Sequence, residues 1–95
     1  MKGVNLVNLD ILGDERGSLI ALEGLSKKVP FDIKRVYYIF GTKPGVVRGK
    51  HAHYKLKQLL ICVSGSVDIL IDDGQNKEIV CLDNPAKALY IDGFI

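Results

Sequence analysis

Short apolar runs broken by glycine- and aspartate-rich turns organise the whole chain. Val4 to Asp10 alternates loosely and meets a turn at Gly13-Asp14-Glu15-Arg16-Gly17. Ser18 to Glu23 reads as a strand, and Ser26-Lys27-Lys28-Val29-Pro30 breaks it. Lys34-Arg35-Val36-Tyr37-Tyr38-Ile39-Phe40 carries the strongest β signal, because aromatic and β-branched side chains pack well on a pleated surface. Gly41 to Gly45 forms a turn, and Val46 to Lys50 leads into His51-Ala52-His53. Leu56 to Val63 is short and apolar. Leu56, Leu59, Leu60 and Val63 also have helical spacing, but Cys62, Val63 and the turn at Ser64-Gly65 favour a strand. Val67 to Ile71 alternates and ends at Asp72-Asp73-Gly74, a hairpin signal with Lys77 to Leu82 as its return strand. Ala88 to Ile91, after Pro85, gives one more strand. About eight short strands with Gly-rich turns predict an all-β sandwich or barrel.

The chain has 95 residues, which predicts a single domain over 1–95. A domain this small buries a modest fraction of its surface, and oligomerisation is a common remedy. A net charge of +2 is too weak a bias to point to nucleic acid or an anionic membrane. No apolar run reaches bilayer-spanning length, and Met1 to Asn5 lacks the apolar core of a signal peptide, so the expected location is cytoplasmic. Cys62 and Cys81 lie in strand-like runs without CxxC or metal-ligand spacing and read as buried, reduced thiols.

Candidate chemistry gathers around the only two histidines. His51 and His53 are two positions apart, and in a strand residues i and i+2 project from one face. That spacing fits two solvated side chains at a strand end as well as it fits two imidazoles sharing a pocket. Arg48 precedes the pair by three residues. Arg16, Arg35 and Arg48 are the only arginines, among ten lysines. Arginine pairs with phosphate in bidentate fashion better than lysine does, although a single arginine is more often a surface ion-pair partner. Arg35 and Tyr37 share one face of their predicted strand, while Val36, Tyr38 and Phe40 point the other way.

The stretch Gly45 to His53, followed by Gln58 and Gly65, resembles the first cupin motif: Gly, five residues, His-x-His, three or four residues, Glu, six residues, Gly. Gln58 stands where metal-binding cupins place a glutamate ligand. A neutral amide in place of an anionic carboxylate weakens a divalent-metal site. Arg16-Gly17-Ser18-Leu19, Pro30 to Phe40, Arg48 to His53 and Asp72-Asp73-Gly74 together resemble the dTDP-6-deoxy-hexulose 3,4-ketoisomerases, over roughly Asn5 to Ile95.

The resemblance implies a cupin fold (a double-stranded β-helix, or jelly roll). It also implies that family chains run further, through a second cupin motif and more core strands. The implied reaction is isomerisation of a dTDP-4-keto-6-deoxyhexose to the 3-keto sugar by a dimer without metal or cofactor, feeding amino-sugar synthesis for surface glycans. On that resemblance His51 is the base. His53 is the second acid/base or oxyanion donor, and Tyr37 a hydrogen-bond donor or proton relay. Arg35 and Arg48 hold the pyrophosphate, and Arg16 reaches the nucleotide or sugar. Three other readings remain open: a cupin that binds a nucleotide sugar or other small ligand without turnover, a metal-dependent cupin, and a remnant that only dimerises.

Overall fold

A computed structural model describes residues 3–47 and 56–93. Among these residues the regular structure is entirely β. Seven strands run β1 (Val4–Asn8), β2 (Leu12–Asp14), β3 (Gly17–Leu19), β4 (Leu56–Ile61), β5 (Val67–Asp72), β6 (Lys77–Leu82) and β7 (Lys87–Gly93). The central sheet has the order β1-β7-β4, both pairings antiparallel, with β2-β3 and β5-β6 as separate hairpins.

Period-two patterning explains how the layers meet. On β7, Leu89 and Ile91 share a face, and their direct partners are Leu6 and Val4 on β1 and Leu60 and Gln58 on β4. On the β5-β6 hairpin, Ile69 pairs with Val80, and Ile71 lies on the same face. These two faces pack together around fully buried Ile71, Leu82 and Leu89, with Val4, Leu60, Cys62, Ile69, Val80 and Ile91 around them. The opposite face of β7 carries Tyr90, which stacks on Phe31 with ring centroids 6.0 Å apart. Ser26 pins the loop leading to Phe31: its Oγ donates to the Glu23 carbonyl (2.6 Å) and accepts from the Val29 N–H (3.2 Å), and Val29 is buried beneath it.

Turn chemistry sets both hairpins. Asp14 faces Gly17 across a two-residue turn. A Cβ on Gly13 would collide with the Gly17 carbonyl oxygen, so close backbone approach requires glycine there. In the β5-β6 turn, Asp73 Oδ1 accepts N–H bonds from Gln75 (2.9 Å) and Asn76 (2.6 Å), and Asp72 Oδ1 accepts one from Gly74 (2.8 Å). Gly74 supplies the positive φ of +92°. The N–H donors of Asn76 and Gln75 hold the Asp73 carboxyl below its ordinary value. A depressed folded-state value means that its contribution to stability is present above the ordinary aspartate pKa and is lost as pH falls through the depressed one. Asp73→Ala is therefore expected to lower the thermal midpoint at neutral pH and to flatten its fall in acid. Equal acid sensitivity in the two proteins contradicts this role for Asp73.

Three expectations are corrected here. Lys34 to Phe40 forms no strand: it runs as irregular chain, exposed along its length, without a ladder partner among the described residues. Strand propensity marks a fitness to pair, and pairing requires a neighbour that these residues do not provide. The strand expected over Ser18 to Glu23 ends at Leu19, where the three-residue β2, its only partner among the described residues, runs out. Cys81 is exposed, because its position on β6 pairs with Asp68 on the hairpin's outer face; Cys62 is half-buried and donates to the Ser64 carbonyl.

Candidate active site

Of the expected site residues, the structure brings two together. The Arg35 guanidinium carbon lies 4.9 Å from the centroid of the Tyr37 ring, within reach of a cation–π attraction. The two stay close although no sheet forms around them. Both are exposed, Tyr37 by 65%. The charge and the phenol thus face the same water-filled space, free to meet an anionic, oxygen-rich ligand.

Arg16 stands elsewhere, at the tip of the β2-β3 hairpin. Its Nε donates to both Asp14 carboxylate oxygens (3.1 and 3.0 Å) and its Nη2 donates to Oδ2 at 2.6 Å, while Asp14 Oδ1 also accepts the Arg16 backbone N–H at 2.9 Å. The side-chain bonds from Arg16 lower the Asp14 carboxyl, and Asp14 in turn raises the guanidinium. One edge of the guanidinium is thereby committed to aspartate. The sequence reading singled out Arg16 without this partner, although an Asp-x-Arg spacing across a tight turn is the signal that predicts it.

Gln58 is half-buried on β4, directly opposite Ile91, on the face that carries Leu60 and looks toward the core. His51, His53 and Arg48 lie outside the described residues. An apolar hollow of about 400 Å³ is lined in part by Leu9, Ile11, Ile20, Leu22 and Ile61. Ile61 is three positions from Gln58 on β4, so the two point to opposite faces. On that outer face Tyr90 also pairs with Leu59 of β4, and its hydroxyl donates to Asp92 Oδ2 at 3.3 Å. Partial burial, and then the Asp92 charge, raise the Tyr90 phenol and keep it neutral. This pair escaped the sequence reading.

The family model described as WxcM-like, C-terminal (FdtA) matches residues 2–95. A TDP-4-oxo-6-deoxy-alpha-D-glucose-3,4-oxoisomerase of Aneurinibacillus thermoaerophilus is 49% identical over 86 residues, which are 90% of this chain and 61% of that relative's length. The solved WlaRB TDP-quinovose 3,4-ketoisomerase of Campylobacter jejuni superposes with a TM-score of 0.92 at 54% identity, covering 98% of this chain and 71% of that one. QdtA, a sugar 3,4-ketoisomerase from Thermoanaerobacterium thermosaccharolyticum solved with TDP, gives a TM-score of 0.92 at 40% identity, covering 98% of this chain and 67% of its own. The chain thus spans about three fifths of the curated relative's length. The expected all-β cupin architecture agrees with this likeness, and the chain belongs to the FdtA family of WxcM-like proteins.

Proposed function

We propose that this chain is a metal-independent 3,4-ketoisomerase acting on a dTDP-4-keto-6-deoxyhexose. The observation that carries the reading is the 49% identity to an enzyme named for that reaction. The Arg35–Tyr37 pair supports it, since a cation beside a phenol suits a diphosphate next to a sugar oxygen.

The C4 carbonyl acidifies the C3 hydrogen. His51 takes that proton, and its electron pair forms the C3=C4 bond of an enediolate with negative charge on O4. His53 or Tyr37 stabilises this oxyanion by hydrogen bonding. A proton then returns at C4 while the C3 hydroxyl loses its own, leaving the ketone at C3; atoms and electrons balance without an oxidant. Histidine suits the first step because its ordinary pKa of about 6.5 places both protonation states within reach. Arg35 and Arg48 hold the pyrophosphate, and Arg16 reaches the nucleotide or sugar. The amide of Gln58, where a metal-binding cupin needs a carboxylate, supports chemistry without a divalent ion. The same reading makes the working form a cytoplasmic homodimer.

A second reading, nucleotide-sugar binding without turnover, draws on the exposure of Tyr37, since open water weakens acid–base catalysis. Incubation with dTDP-4-keto-6-deoxyglucose and a chelator decides between them. The 3-keto isomer is expected in the proton NMR spectrum, and an unchanged sugar that still binds favours the second reading.

A further inference from the structure

Arg16 is held more firmly than its place at a hairpin tip requires. Asp14 closes β2 opposite Gly17, and Glu15 and Arg16 form the turn between them. Gly13 lets the two strands meet closely, and the bond from the Arg16 backbone N–H to Asp14 Oδ1 (2.9 Å) completes the turn. The backbone is thereby fixed. Yet the same carboxylate also accepts three bonds from the guanidinium, two from Nε at 3.1 and 3.0 Å and one from Nη2 at 2.6 Å. These three bonds restrain a side chain that is 87% exposed, so they bury almost none of it. Exposed ion pairs contribute little to stability, and holding two side chains in one geometry costs them freedom. What the pair produces is direction.

A guanidinium carries its five N–H groups in a rigid planar fork. Asp14 takes the edge formed by Nε and Nη2. The opposite edge, Nη1 with the outer N–H of Nη2, stays in water and can bridge two oxygens. Asp14 and Arg16 both line an open hollow of about 420 Å³, together with Gly13, Ser18 and Leu19. We propose that Asp14 is a positioning residue, whose carboxylate holds Arg16 so that this free edge meets a pair of oxygens on the substrate. The proposal rests on the reading of Arg16 as a contact to the nucleotide or sugar. An arginine already held in place gives up less side-chain freedom when a ligand arrives. Charge works the other way. The Asp14 carboxylate offsets the charge of Arg16 and repels an anionic ligand, so a purely electrostatic role predicts tighter binding once it is removed. Order and charge therefore predict opposite signs.

Asp14→Asn separates the two. Asparagine keeps Oδ1 as acceptor of the Arg16 backbone N–H, so the turn and the circular dichroism should be unchanged. It cannot offer two carboxylate oxygens, so the guanidinium is released. In proton–nitrogen NMR spectra, the Arg16 Nε–H resonance is expected to be sharp in the unsubstituted chain and lost to solvent exchange in the variant. For dTDP-4-keto-6-deoxyglucose, kcat/KM is expected to fall ~5-fold or more, with no further fall when Asp14→Asn is added to Arg16→Ala. Calorimetry with dTDP then locates the oxygens. A parallel weakening assigns them to the diphosphate, and an unchanged or tighter Kd beside the lost turnover assigns them to the sugar. Normal kcat/KM in Asp14→Asn beside a damaged Arg16→Ala overturns the proposal and leaves the isomerase reading standing, as does a further fall in the double variant or an Nε–H signal absent from the unsubstituted chain. Unchanged kinetics in Arg16→Ala overturn it together with the contact given to Arg16. A chain without turnover fails the isomerase reading by itself. The positioning role is then read from dTDP alone: weaker binding by Asp14→Asn upholds it, and equal or tighter binding overturns it.

Discussion

Replacing His51 by asparagine is expected to abolish interconversion of the 4-keto and 3-keto sugars while leaving affinity for dTDP largely intact. Asparagine keeps a hydrogen-bonding side chain of similar reach but accepts no proton near neutral pH. The loss should therefore fall on the chemical step. General-base contributions of ~10²–10⁴-fold set the scale of the fall in kcat. Turnover by NMR and dTDP binding by calorimetry separate the two effects. Parallel loss of binding and turnover would place His51 in the fold or the nucleotide site and remove it from proton transfer.

The second large effect concerns the core. Leu89 is fully buried on β7, the middle strand of the central sheet, between Leu6 of β1 and Leu60 of β4 and against Ile71 and Leu82 of the hairpin. Leu89→Ala removes transferred apolar surface and leaves a cavity that strands on both sides cannot collapse into, at a cost of ~2–5 kcal/mol. Small domains have only about 5–15 kcal/mol in total, so urea unfolding should show a large drop in midpoint or an unfolded variant. Ile79→Ala is the control: Ile79 pairs with Leu70 on the outer face of the β5-β6 hairpin, and they are 69% and 65% exposed. Its cost should stay near 0.5 kcal/mol. Comparable losses from both substitutions would contradict the packing of the hairpin's Ile71 face onto β7.

Most of the second half of the fold is legible in the amino-acid sequence because its signals are local. The expected return strand Lys77 to Leu82 coincides with β6, and Asp72-Asp73-Gly74 marks its turn through side-chain oxygens that reach N–H groups two or three residues on. Val67 to Ile71 is extended by one residue in β5, and Ala88 to Ile91 lies within β7. Lys34 to Phe40 fails for a non-local reason: propensity reports what a chain segment can pair with, and the described residues hold no partner for it. Cys81 fails similarly, since an apolar-looking run does not say which of its two faces a second layer will cover.

The candidate site is legible only in part. The strand expected to set Arg35 beside Tyr37 does not form, yet the structure places the Arg35 guanidinium carbon 4.9 Å from the Tyr37 ring centroid. The Asp14 clamp on Arg16 depends on a two-residue turn whose length the sequence reading overestimated. The face on which Gln58 sits follows from its register with Ile91, and register is set by pairing with β7, more than 25 residues away in the chain.

Proton exchange on the sugar ring tests the central claim most directly. In heavy water, the chain incubated with dTDP-4-keto-6-deoxyglucose is predicted to give the 3-keto sugar carrying deuterium at C4, because the proton delivered there comes from a side chain in exchange with solvent. A spectrum that retains the 4-keto sugar with its C3 hydrogen unexchanged, from a chain that is folded and binds dTDP, would contradict it.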